Sequence, residues 1–170
     1  MTTWQRAQTK ACRSVLKAKL REVWDGLELA RVRRMFNDTA GHEGVTESII
    51  RCGIRIHESW GPGLLESVYK ECLLIELEDA GHRVDTTRRL QLVYKGRDLK
   101  CQFCPDLIVD GIVVVELKAV EKLAPVHKAQ LITYLKLTEL PVGLLMNFNV
   151  PLLKYGTQRV VRPDLMIRRS

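Results

Sequence analysis

From Pro105 to Lys118, two apolar β-type runs flank an Asp110-Gly111 turn, and each run carries an acid. Asp106 opens the first run; Glu116 lies late in the second, with Lys118 two residues on. A carboxylate in a buried strand is costly unless it has a partner. Side chains alternate along a strand, so Glu116 and Lys118 share one face while Val115 and Leu117 take the other. Whether Asp106 joins them depends on the turn. A plain two-residue turn sets Asp106 opposite Val115, on the wrong face. An odd-length loop or a bulge sets it opposite Glu116, and Asp-Gly is compatible with either. In the second case two carboxylates and an ammonium meet at one edge of a sheet. Such a grouping suits a hard divalent cation with a lysine beside the attacking water, the chemistry that cleaves phosphodiester bonds. The bland alternative is a pair of strand acids matched with Arg or Lys across the sheet.

The rest of the chain supplies a scaffold for that hairpin. Its 170 residues, 46% hydrophobic, are enough for one compact domain with an appendage. Residues 4–36 have helical periodicity, with Leu16, Leu20, Val23, Trp24 and Leu27 on one stripe and Arg and Lys opposite. Residues 37–44 read as a linker. A helix over Thr46–Ser59 follows, with Val45, Ile49, Cys52, Gly53 and Ile56 on its apolar stripe and Trp60 prolonging it until Gly61-Pro62-Gly63. A second helix over Leu64–Ala80 offers Leu65, Val68, Cys72 and Ile75 as core candidates and stops at Gly81. Strands are expected over Val84–Tyr94, Leu99–Val109 and Ile112–Leu117. Pro125 suits the first turn of a helix to Thr138. Val142–Phe148 looks like a buried central strand, and Gln158–Val161 like a short edge strand. The order ααβββαβ implies an α/β sandwich with a mixed sheet flanked by helices. The domain division is a basic helical extension and linker over residues 1–43, a main domain over 44–162 and a tail over 163–170.

Charge and cysteines narrow the function classes. The net charge is +7, which favours an anionic partner. Residues 1–40 hold 9 basic and 4 acidic side chains, leaving 18 against 16 for residues 41–170. The basicity therefore belongs mostly to the leading segment. Five scattered cysteines with no secretory signal suggest a reduced, cytoplasmic protein. Cys101 and Cys104 form a lone C-x-x-C without the second pair that structural zinc needs. No apolar run reaches the length of a membrane span.

Several motifs then combine. Gly63-Leu64-Leu65-Glu66-Ser67-Val68-Tyr69 matches the signature GxxExxY. Downstream stand Asp106-Leu107, Val115 through Leu123, Gln130-Leu131 with Tyr134-Leu135, and Asn147 through Leu152. In these motifs residues 45–162 resemble the GxxExxY family of the PD-(D/E)XK nuclease superfamily. The resemblance implies a restriction-endonuclease-like core, a nuclease acting on nucleic acid (DNA more than RNA), and Mg²⁺ or Mn²⁺ as cofactor. Carried onto this chain, Glu66, Asp106 and Glu116 are the metal ligands, with the Leu117 carbonyl a further candidate, and Lys118 is the catalytic lysine. Gln130 and Tyr134 resemble the QxxxY element of RecB-like exonucleases, which positions the substrate; four apart, they share one helix face. Cys104-Pro105 departs from the family, which places a small or aliphatic residue before the aspartate and often a basic one before that. Pro105 restores the literal Pro-Asp, while Cys104 removes a phosphate contact.

Other candidates have plainer readings. Tyr69 suits core packing with a bonded hydroxyl. His57 and His127 are expected outside any metal shell, and Asn147 and Asn149 to satisfy backbone groups at a strand end. Two functional alternatives stay open: a nucleic-acid-binding accessory module with weak or absent cleavage, and a protein-interaction domain docking or self-associating through the N-terminal helix.

Overall fold

The computed structural model describes residues 42–100 and 103–163. The expected N-terminal helix, most of the expected linker, Cys101 and the tail after residue 163 lie outside the described residues.

Helix α1 (Glu43–Trp60) buries Ile49, Cys52, Gly53 and Ile56 of the predicted stripe, together with Thr46, Ile50 and His57, and leaves Val45 half-buried. The stripe predicts a buried Trp60; instead its residue is 65% exposed. The helix overruns the core by one turn and ends where the Gly61 N–H bonds the His57 carbonyl at 2.8 Å. Helix α2 (Glu66–Asp79) corrects the expected phase. Leu65, Val68 and Ile75 are exposed, and Tyr69, Leu73 and Leu77 form the buried row. The helix is apolar on more than one side, so periodicity alone does not choose a face. Tyr69 decides it: its ring stacks on Phe148 with centroids 4.4 Å apart, and its hydroxyl bonds Gly61 O and the Leu64 N–H. At the C-terminus, Gly81 N–H bonds Glu78 O and His82 N–H bonds Leu77 O, the paired bonds of a Schellman stop.

The main sheet has the order β1 (Val84–Asp85), β4 (Leu107–Val109), β5 (Val113–Lys118), β6 (Val142–Asn147), β7 (Thr157–Val161). Among the described residues only β5 and β6 run parallel, joined through helix α3 (Pro125–Thr138) as a parallel connection requires. Alternation along β6 sorts the two faces. Leu145 joins Val114, Leu131, Tyr134 and Leu135 in the core under α3. Met146 faces α1, where a Cβ on Gly53 would lie 2.5 Å from the Met146 methyl. Glycine at 53 thus lets α1 lie close on the sheet. Helices on both faces of a mixed sheet give the restriction-endonuclease-like α/β core.

The long strands predicted over Val84–Tyr94 and Leu99–Val109 are not continuous. The Asp85 carboxylate accepts from both the Thr87 N–H (2.9 Å) and the Thr87 hydroxyl (3.1 Å), an alternative to the strand ladder that ends β1. From 86 to 100 only Leu90 is buried, so this stretch has no apolar face to hold it on the sheet. It forms a separate two-stranded ribbon, β2 (Val93–Tyr94) with β3 (Arg97–Asp98), closed by Lys95-Gly96. A short helix α4 (Leu153–Gly156), not predicted, precedes β7. Among the described residues no helix is long and apolar enough to cross a membrane.

A clamp fixes the hairpin to the helices. His82 Nδ1 lies 2.7 Å from Asp110 Oδ2, and His82 Nε2 lies 2.7 Å from Ser48 Oγ. The second Asp110 oxygen accepts the Arg83 N–H at 2.8 Å. Burial pushes the Asp110 carboxyl up, but the His82 and Arg83 bonds outweigh it and hold the group below its ordinary value. Ser48 lies inside α1, where backbone N–H groups are committed to the helix ladder. The Ser-His-Asp chain therefore has no oxyanion donors from its own helix, and it acts as a structural tie. His82→Ala removes two half-buried bonds linking three segments and is expected to cost about 1–3 kcal/mol in urea unfolding. An unchanged midpoint would show that the tie contributes nothing.

Candidate functional site

The hairpin turn settles which face Asp106 takes. Val109 pairs with Val113, Ile108 with Val114 and Leu107 with Val115. Asp110 and Gly111 both have positive φ (53° and 68°), and the Ile112 N–H bonds the Val109 carbonyl at 2.9 Å. A tight turn at Asp110-Gly111 is thus followed by one extra residue, Ile112, before pairing begins. The loop is odd in length, and one more step of the register sets Asp106 opposite Glu116. A regular two-residue hairpin would have divided the acids between two faces.

Five charged side chains gather there from three elements. Asp106 Oδ2 accepts the Leu117 N–H at 2.9 Å, and its Oδ1 lies 3.4 Å from the Lys70 ammonium. The Lys118 ammonium donates to Glu116 Oε1 at 2.7 Å and to the Leu117 carbonyl at 2.7 Å. It also lies 3.6 Å from Glu66 Oε1, at the first residue of α2. Glu66, Asp106, Glu116 and Lys118 therefore form one cluster. Gln130 and Tyr134 lie on α3, on the same side of the sheet as Glu116, with Gln130 Nε2 donating to the Tyr134 hydroxyl at 2.9 Å. Lys70 escaped the sequence reading. The signal was available, since it follows Glu66 by four residues and so shares its helix face.

The electrostatics are dominated by Glu116. It is 3% exposed, and its Oε2 has no hydrogen-bond partner. Burial is the main cause that pushes its carboxyl up to about 7; the charges of Asp106 and Glu66 add to it, and the Lys118 bond opposes only in part. Burial pushes the Lys118 ammonium down, but its bond to Glu116 and the three acids outweigh that and hold it above its ordinary value. Lys118 is thus a proton donor and a positive charge at neutral pH, not a base. Burial, together with Glu116 and Asp106, raises the Tyr134 phenol against the opposing Gln130 bond.

Whether these acids can hold a cation has two sides. Among the described residues, no three His, Cys, Asp or Glu side chains close on a point as a ready-made cage. Yet a buried carboxylate oxygen without a partner, crowded by two further acids, is a place where positive charge is stabilising. A Mg²⁺-type ion needs only one or two carboxylates, because water and substrate phosphate complete its shell. Glu66 is the most exposed of the three, at 43% of its side chain, and is free to turn toward such an ion. The donor set fits a hard divalent cation.

The surrounding residues act as supports. Asn147 is buried and bonds both the N–H and the carbonyl of Val120, at 3.0 and 2.8 Å, which fixes the chain leaving β5. His57 Nε2 bonds the Val150 carbonyl at 2.8 Å, and His127 Nδ1 accepts the Ala124 N–H; neither joins the acids. Cys104 is a half-buried free thiol. A family model for the PD-(D/E)XK nuclease superfamily matches residues 43–160 of the chain. Comparison with curated proteins and with solved structures returned no match.

Proposed function

The chain belongs to the PD-(D/E)XK nuclease superfamily, and from that premise we propose a divalent-metal-dependent nuclease of the GxxExxY type, acting on DNA in preference to RNA. The single observation that carries this reading is the buried, unpartnered Glu116 oxygen beside Lys118 and within the field of Asp106 and Glu66. Glu66, Asp106 and Glu116 would hold Mg²⁺ or Mn²⁺, with the Leu117 carbonyl a further ligand. A cation there would polarise the scissile phosphate and acidify an attacking water.

The protein's own groups do the rest. Glu116 fixes the Lys118 ammonium, which orients water and donates to phosphate oxygen as negative charge develops. Lys70 holds one Asp106 oxygen while the Leu117 N–H holds the other, so the carboxylate is oriented before substrate arrives. Gln130 and Tyr134, bonded to each other, position the substrate strand.

The test is a cleavage panel on single- and double-stranded DNA and RNA with Mg²⁺, with Mn²⁺ and with EDTA. Cutting is expected with either ion, none with chelator, and none from Asp106→Ala. Salt-sensitive binding without turnover would replace the nuclease with an accessory binding module.

A further inference from the structure

Trp60 is a large apolar side chain at the end of a well-packed helix, yet its residue is 65% exposed. The backbone that carries it is fixed on three sides. Gly61 N–H caps α1 on His57 O, and His57 itself is tied to Val150 O. The buried Tyr69 hydroxyl donates to Gly61 O at 2.6 Å and accepts the Leu64 N–H at 3.2 Å. One oxygen therefore pinches together both ends of the loop between Trp60 and Glu66. This fixed backbone carries an exposed indole six residues before an acid of the site.

Further exposed apolar side chains stand on the segments that carry the site residues. Leu65, next to Glu66, is 72% exposed. On α3 the row that carries Tyr134 and Gln130 continues four residues back to Val126, also exposed. Exposed apolar side chains on the segments that carry these charged groups suit a strand that offers both phosphates and base faces.

Charge separates single strands from duplex. Binding to duplex draws most of its affinity from neutralised phosphates. Residues 41–170 hold 18 basic against 16 acidic side chains, so this domain brings little net charge to a duplex. Stacking of an aromatic ring on a base supplies affinity without net charge, and it needs a base whose face is free. Bases inside a duplex have none. We propose that Trp60 is a stacking platform for an unpaired base, and that the substrate class of this site is single-stranded nucleic acid. The substrate assignment rests on the nuclease reading above; the stacking contact does not.

The test uses the full chain carrying Trp4→Phe and Trp24→Phe, so that Trp60 is its sole indole, titrated in EDTA with oligothymidylate and with a blunt duplex. Saturable quenching by the single strand, with little response to the duplex, is expected. In the otherwise unaltered chain, Trp60→Ala should weaken single-strand binding about 5- to 100-fold, with Trp60→Phe retaining most of it. The salt slope should not change, because no phosphate contact is lost. Equal quenching by duplex, no quenching by any oligonucleotide, or full affinity in Trp60→Ala would overturn the proposal. Trp60-dependent self-association with no response to DNA would also overturn it and assign the Trp60–Leu65 patch to protein contact. Quenching in a protein that never cuts would leave the stacking contact standing and remove the nuclease. Metal-dependent cutting with a silent Trp60 would do the reverse.

Discussion

Cleavage by Lys118→Ala is expected to fall by a factor of about 10²–10⁴ under single-turnover conditions with saturating Mg²⁺ or Mn²⁺, the range for loss of a positioned proton donor or charge stabiliser. Two losses combine in this variant. The ammonium that faces the developing charge disappears. Its removal also strips Glu116 Oε1 of its 2.7 Å partner, leaving a buried carboxyl with no hydrogen bond at either oxygen. Glu116 is pushed up to about 7 even with Lys118 present, so without it the carboxyl is protonated through a wider pH range and is a poorer cation ligand. The cleavage profile of the variant should therefore rise at a higher pH than that of the wild type. Lys118→Arg tests geometry against charge. The guanidinium keeps the charge, but it cannot reproduce a compact ammonium that touches Glu116 and the Leu117 carbonyl together. Wild-type rates in Lys118→Ala would sink the assigned role.

How much of this was legible in the sequence varies by element. The helix at Pro125–Thr138 was readable to the residue, because proline marks its start and its interior has no competing signal. The apolar run at Val142 declared a central strand, and β6 lies between β5 and β7. Sequence reasoning could state the condition for Asp106 and Glu116 to meet but could not choose it. The choice rests on Ile112, one extra residue whose backbone path depends on tertiary packing. The phase of α2 was misread for a related reason: Leu65, Val68 and Ile75 are as apolar as Leu73 and Leu77, and only the Tyr69–Phe148 stack selects the face. The broken strands between Val84 and Val109 show local side-chain chemistry prevailing over β-propensity, since Thr87 satisfies Asp85 at the point where the ladder ends. The i, i+4 spacing puts Lys70 on the helix face of Glu66, but that spacing points to Asp106 only once the strand beside the helix is placed.

Glu116→Gln is expected to be inactive and yet more stable than the wild type at pH 8 in EDTA, by up to about 3 kcal/mol. The native Glu116 carboxyl titrates at about 7 against an ordinary value of 4.5. Between those values the folded protein binds a proton that the unfolded chain has already released. Stability therefore falls as pH rises from about 4.5 to about 7, and above 7 the full cost of a buried anion with one oxygen unpartnered is present. Below about 4.5 both states are protonated and the cost vanishes. Glutamine has the same shape and carries no charge, so it removes the titration while its carbonyl oxygen can still accept from Lys118. Urea unfolding at pH 5 and pH 8 should show the difference between the two proteins growing with pH. Saturating Mg²⁺ should narrow it at pH 8, because an ion that binds only the folded state raises the stability of the wild type by mass action and has less grip on the variant. A difference that does not change with pH would mean that Glu116 is satisfied in the native protein. The strain attributed to this carboxylate would then be absent, and with it the physical reason for an ion to bind there.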